Sequence, residues 1–302
     1  MKAATAPKWL GDPSHIALFL QNEVNRELKL KRILLATMAL TAVSVTAYAQ
    51  EGDPLVAGVE GSFPPWAYVE SGEFKGIAID AMRAIAADQG LNVEFRELPW
   101  PSLIPALSKG HIDLLVTGLN VTAERAEVLD FTIPWWENDD EILVASDSDK
   151  NAVTALCCGA TVGAQSGATQ HTWLQQNLVD SGVDITLRGY EDYVTAVEDL
   201  GIGRLDAVVT STDTAESLIS KGRDLKIVGT IQQNQPQALA VQEGDPNNLL
   251  EKLNKGIMNI YKNGKWAEIV HRYTPEATIR AIPTAMPDYV DSYQEPIPGY
   301  PG

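Results

Sequence analysis

The chain is 302 residues long, enough for two domains of ordinary size. Its apolar content of 45% is that of a globular protein. A formal net charge of −17 and a pI near 4.6 leave no basic face of the kind nucleic-acid binding needs, which excludes nucleic acid as a partner.

The N-terminus reads as an address. Lys29, Lys31 and Arg32 precede an apolar stretch from Ile33 to Ala47, which closes on Ala47-Tyr-Ala49. Positive charge, a short apolar run and a small-x-small site are the order of a secretory signal peptide, and the run is too short to span a bilayer. Cleavage is expected after Ala49, with no Cys there to carry a lipid anchor, and the expected location is the periplasm. Residues 1–49, an N-terminal extension followed by this leader, are set apart from the fold. They hold six of the 23 basic residues and three of the 40 acidic ones, so the remainder is more acidic still.

The folded part opens with a strand at 54–59. Glu60-Gly-Ser-Phe-Pro-Pro-Trp66 follows as a loop stiffened by two prolines, with Phe63 and Trp66 as flat apolar faces, placed either in the core or against a ligand. Tyr68 to Phe74 reads as a hairpin around Ser71-Gly72. A helix is predicted from Gly76 through Ala87, with Ile79, Met82, Ile85 and Ala86 near helical spacing and Gly90 ending it. Val93 to Leu98 alternates as a half-buried strand does. Trp100 stands at its end, before a helix at about 102–108.

The central stretch runs from Gly110 to Trp136. Ile112 to Val116 reads as a short buried strand, ending at Thr117 and Gly118, where backbone can approach a ligand closely. Thr122 is a candidate helix cap, with Glu124 in the first turn. That geometry fixes Arg125 just beyond a strand end, where a guanidinium is a good fork for a carboxylate. The alternative is a surface arginine paired with Glu124 or Glu127.

Glu141 to Ala145 is the next strand. Strands are then predicted at 160–164, 183–187, 205–211, 226–230 and 238–241. Helices are predicted from about Gln170, at 193–200, from about Thr214, at 247–263 and at 265–273. The turn Gln165-Ser-Gly167-Ala168-Thr169 feeds a helix N-terminus and offers backbone N–H groups to an anion. Residues 276–302 are rich in Pro and Tyr without periodicity and read as an extended tail. Cys157 and Cys158 are adjacent and fit no separated metal-ligand pattern. They are expected to be two small hydrophobic residues rather than a functional redox pair, the alternative being a strained vicinal disulfide in an oxidising compartment. His15, His111, His171 and His271 fit no ligand motif either.

Gly110-His-Ile-Asp-Leu, Thr122-Ala-Glu-Arg and Asp130-Phe-Thr-Ile-Pro, in that order, resemble the signature of the family 3 extracellular solute-binding proteins, the periplasmic polar amino-acid receptors of ABC transporters. The resemblance covers roughly residues 55 to 275. It implies an α/β, type II two-lobed binding-protein fold, with lobe 1 from 54–143 and 240–275, lobe 2 from 144–239, and two hinge strands near 142–146 and 237–242. It implies a monomer that binds a small carboxylate-bearing ligand for an inner-membrane ABC permease, with no cofactor and no catalytic or metal residue. Phe63, Trp100, Gly118, Asn120, Arg125, Gln165, Gly167, Ala168 and Thr169 match ligand-binding positions of the family. Two alternatives share the fold: an enzyme like the cyclohexadienyl or arogenate dehydratases, and a ligand-sensing subunit.

The sequence departs from the family pattern at one telling place. Relatives carry an Asp for the ligand's α-ammonium at the end of a late strand, where this chain reads Asp206-Ala-Val-Val-Thr210-Ser211. Asn120 likewise stands where relatives have Thr or Ser. An ammonium in a closed cleft without a counter-charge is costly. Either Asp213 or Glu60 supplies the charge, or the ligand lacks a free α-ammonium. Glu60 is also placed to face a cationic ligand side chain.

Overall fold

The structure, a computed structural model, describes residues 53–275. The predicted leader and the Pro-rich tail lie outside the described residues.

Two five-stranded mixed sheets form the frame. The first is built on β1 (Leu55–Val59), a fully apolar strand. A small antiparallel sheet follows: β2 (Ser62–Phe63), β3 (Ala67–Glu70) and β4 (Glu73–Lys75). Ser71 and Gly72 both have positive φ, 54° and 80°, which lets two residues join β3 to β4. Helix α1 (Ile77–Gln89) ends at Gly90, as its spacing predicts. Then come β5 (Val93–Glu97), α2 (Trp100–Ser108) and a strand shorter than predicted, β6 (Leu114–Leu115). Helix α3 (Ala123–Ala126) is one turn long, and Thr122 caps it by accepting the Arg125 backbone N–H at 3.2 Å. Strand β7 (Leu129–Phe131) had no periodic signal of its own.

Strand β8 (Trp136–Ala145) leads into the second sheet. It is followed by β9 (Ala160–Gln165), α4 (Thr169–Leu174) with a π-helical turn at Gln175–Val179, and β10 (Ile185–Tyr190). Helix α5 (Tyr193–Gly201) is capped by Asp192. The last elements are β11 (Ala207–Ser211), α6 (Thr212–Ser220), β12 (Leu225–Gln237), β13 (Ala240–Gln242), α7 (Leu250–Lys262) and α8 (Lys265–Tyr273). Among the described residues no helix is long and apolar enough to cross a membrane.

The first sheet has the order β5-β1-β6-β13-β7, and the second β10-β9-β11-β8-β12. In each, four strands run one way and a single strand, β13 in the first sheet and β8 in the second, runs against its two neighbours. Helices α1, α7 and α8 pack together over one face of the first sheet, and α2 covers the other. The second sheet is covered by α4 on one face and by α5 and α6 on the other.

Two details differ from the sequence reading. Strand β12 runs 13 residues rather than ending at Thr230, and β8 begins at Trp136. The two pair beyond a register shift, with Gln235 opposite Asn138 and Gln237 opposite Trp136. Residues 142–145 therefore lie inside the second sheet, and the chain passes between sheets nearer 132–138 and 235–239. The second difference is at Cys157 and Cys158, which are bonded to each other in the connection between β8 and β9, Cys157 partly exposed and Cys158 exposed. A bonded pair at the surface does not act as two small hydrophobic residues.

Candidate functional site

The carboxyl ends of the parallel strands of both sheets face one another, which is where open α/β sheets place ligands. They enclose one narrow cavity between them. From the first sheet come Glu60 after β1, Phe63 on β2, Trp100 at the start of α2, Gly118 and Asn120 after β6, and Arg125 on α3. From the second come Gln165 at the end of β9, Ala168 and Thr169 at the start of α4, and Ser211 at the end of β11. Ten of the twelve residues read from the sequence thus stand around one space.

Arg125 is 8% exposed. The one-turn helix capped by Thr122 aims it across the gap. Its Nη1 donates to the Asn120 carbonyl at 2.7 Å and its Nη2 to the Gly167 carbonyl at 3.2 Å, while the guanidinium lies 5.3 Å from the Trp100 ring centre. Among the described residues no carboxylate forms an ion pair with it. Burial lowers it to about 10, still fully charged near neutrality. Neither Glu124 nor Glu127 removes it to the surface.

Glu60 is 2% exposed and accepts a hydrogen bond from Gln165 Nε2 and a longer one from Ser62 Oγ at 3.5 Å. Burial pushes its carboxyl up to about 8, the Gln165 bond working the other way. Gly118 has close neighbours: an added Cβ would stand 2.9 Å from Phe63 and 3.2 Å from the Gln237 amide.

Gly167 and Asp213 stand outside the cavity wall. Gly167 contributes its carbonyl to Arg125 from behind. Asp213 accepts the indole N–H groups of Trp66, at 3.2 Å, and Trp136, at 2.9 Å, so its carboxylate is committed elsewhere. The Gln165–Thr169 turn also spends a donor on itself, as Ala168 N–H bonds the Gln165 carbonyl at 3.1 Å.

Three residues that the sequence reading missed complete the wall: Gln170, Tyr193 and Gln237. The Tyr193 ring lies 5.7 Å from Phe63, and its hydroxyl donates to Gln170 Oε1 at 2.9 Å. Burial raises this phenol well above its ordinary value, and the charges of Asp140 and Glu60 add to that.

Gln170 belongs to a closed ring of hydrogen bonds. Asn120 Nδ2 donates to Thr169 Oγ1 at 2.8 Å and to Gln235 Oε1 at 2.6 Å. Gln235 donates to Gln233, and Gln233 Nε2 donates to Asp140 Oδ2 at 2.7 Å. Gln170 Nε2 donates to the other Asp140 oxygen, and Thr169 Oγ1 reaches Gln170 Oε1 at 3.5 Å. Gln237 Nε2 joins from the side, onto Asn120 Oδ1 at 2.9 Å, whereas its buried Oε1 has no partner among the described residues. The ladder follows from the extended geometry of β12, which puts Gln233, Gln235 and Gln237 on one face. The signal in the sequence was the alternation Gln233-Asn-Gln235-Pro-Gln237, hidden because none of it is apolar.

Comparison with known proteins agrees with this fold. The model of the bacterial extracellular solute-binding proteins, family 3, matches residues 55–276. The L-cystine-binding protein TcyJ of Escherichia coli (strain K12) is 27% identical over 248 residues, 78% of this chain and 91% of that protein. The L-arginine-binding protein of Pseudomonas aeruginosa is 27% identical over 258 residues, 80% and 96%. Among solved structures, an ancestral arginine-binding protein bound to arginine superposes with a TM-score of 0.68 at 31% identity, covering 74% of this chain and 99% of that one. The match spans well over half of the chain and includes both sheets with every wall residue of the cavity; the chain belongs to the bacterial extracellular solute-binding proteins, family 3.

Proposed function

We propose that this protein captures a small amino acid between its two lobes in the periplasm and hands it, as a monomer, to an ABC permease, its leader being removed near Ala49. One observation carries the reading. Arg125 is buried at the wall of the cavity, charged, and without a carboxylate partner among the described residues. A carboxylate-bearing ligand supplies that partner, and the guanidinium fork is suited to holding it in two hydrogen bonds. Trp100 and Phe63 give apolar faces for the ligand's stem. Glu60 lines the same cavity and Asp213 does not, so Glu60 is the group we assign to a cationic part of the ligand. That assignment favours a ligand with a free ammonium over one without. Relatives named for cystine and for arginine, both amino acids, support the class.

The test is calorimetric titration of the mature protein, unfolded and refolded to strip carried-over ligand, with the common L-amino acids and L-cystine. At least one is expected to bind with micromolar or tighter affinity, and Arg125→Ala is expected to abolish the signal while the protein stays folded. Equal binding by Arg125→Ala would overturn the assignment of the carboxylate.

A further inference from the structure

We propose that Asp140, a residue of the strand next to Ser211, is a specificity-determining carboxylate of this site, and that the ligand it selects carries two cationic groups beside its carboxylate. This rests on the binding reading above. Strands β11 and β8 are antiparallel neighbours, and Ser211 lies directly opposite Asp140 in their register. Cross-strand partners project from the same face of a sheet, with their Cβ atoms about 5 Å apart. Ser211 lines the cavity and has only a hydroxyl to offer. Asp140 presents a full carboxylate from the same face, 2% exposed, covered by Gln170, which does line the cavity.

With both of its carboxyl groups ionised, the charges around the cavity do not balance. Arg125 and Glu60 line it and Asp140 stands directly behind Gln170, to which the Tyr193 hydroxyl is bonded, so one cation and two carboxyl groups surround that point. Among the described residues no Lys, Arg or His forms an ion pair with Glu60 or Asp140. The hydrogen-bond donors to them are amides and a hydroxyl. Buried carboxylates are stable in ionised form only when paired. A ligand with one carboxylate and one ammonium leaves one of the two acids without a cation. A ligand with one carboxylate and two cationic groups neutralises the site completely. Gln237 adds an independent indication: its buried, unpartnered Oε1 at the cavity wall is an acceptor waiting for an N–H donor. The ligand's ammonium reaches Asp140 by taking the place of the Gln170 amide, whose second bonds to Tyr193 and Thr169 keep it at the wall.

The experiment compares four proteins, wild type, Asp140→Asn, Ser211→Asp and the double variant, by calorimetry with L-lysine, L-arginine, L-glutamine and L-norleucine. Wild type is expected to bind lysine or arginine on the order of 30-fold or more tighter than the neutral pair, and Asp140→Asn to lose a factor of that order, the loss typical of removing one partner of a buried charge pair. The double variant is expected to regain most of it, because Ser211→Asp restores a carboxylate on the same face one strand away. A merely structural Asp140 would give no such rescue. The inference is overturned if wild type prefers the neutral ligands, if Asp140→Asn binds lysine and arginine as wild type does, or if the double variant stays weak while its thermal midpoint matches wild type. In those cases the binding reading survives, since wild type still takes an amino acid through Arg125. No binding of any amino acid by wild type would overturn both.

Discussion

The indole N–H of Trp136 donates to the Asp213 carboxylate at 2.9 Å, and the indole of Trp66 donates to the same oxygen at 3.2 Å. Asp213 sits on α6 over the second sheet, whereas Trp66 comes from the loop beside β1 of the first. The contact is structural and stands apart from the cavity. Asp213→Ala leaves two buried indole N–H groups without an acceptor, at about 1–3 kcal/mol each. The expected result is a loss of about 2–4 kcal/mol of stability in urea denaturation, with ligand affinity changed only a few-fold. Loss of binding without loss of stability would return Asp213 to the site.

Acidity reaches the molecule through its buried carboxylates. Burial raises Glu60 to about 8, Asp140 to about 7 and Asp213 to about 6, from ordinary values of 4.5 for Glu and 3.8 for Asp. The folded, ligand-free protein therefore holds protons that the unfolded chain has released between roughly pH 4 and 8. The stability attached to these groups is complete below that window and lost as pH rises through it. The exposed Glu70, Asp199 and Glu268, lowered by Lys75, Tyr190 and Lys265, act in the opposite sense but below the window. The Tm of ligand-free protein is expected to fall between about pH 5 and 8.5, and Glu60→Gln to flatten the upper part of that fall. A Tm that climbs over this range would contradict the assignment.

Gly118 lines the cavity where Phe63 and Gln237 leave no room for a side chain. Its missing side chain is a steric requirement, since an added methyl group meets the Phe63 ring and the Gln237 amide together. Gly118→Ala is expected to weaken ligand binding on the order of tenfold or more, through a shifted Phe63, with a cost to stability of about 1–3 kcal/mol. Titration beside thermal denaturation separates the two effects.

Arg125→Lys keeps the charge and discards the fork. A lysine ammonium is a compact, more strongly hydrated cation and cannot hold the Asn120 and Gly167 carbonyls in the guanidinium's planar arrangement. Binding is expected to weaken about 100-fold or more, between wild type and Arg125→Ala. Affinity for a carboxylate ligand equal to wild type would show that charge alone suffices.

Much of this was legible in local sequence. The Thr122 cap, the Ser71-Gly72 turn, the end of α1 at Gly90 and the amphipathic α7 all depend on neighbours within a few residues. Ten cavity residues were found because they sit at strand ends or helix starts. What escaped depends on pairing across the chain. The outer part of β12 is polar throughout and is extended because β8 lies alongside it, so no apolar alternation announced it. Asp140 read as one acid in Glu137-Asn-Asp-Asp-Glu141, and only the register opposite Ser211 distinguishes it from Asp139. Tyr193 and Gln170 looked like ordinary first-turn residues of their helices. The bond between Cys157 and Cys158 was the less favoured of two readings, because adjacent cysteines are as easily read as small apolar residues.

Strand β13, three residues long, lies between β6 and β7 in the middle of the first sheet. Its neighbours are made more than 100 residues earlier in the chain. Every strand of the second sheet is therefore synthesised before the first sheet can close, and the first lobe remains a split sheet until residues 240–242 arrive. Loop closure over that distance slows folding and raises contact order. A chain with this topology stays incompletely folded while it is being made, and its earlier half cannot lock into its final form on its own.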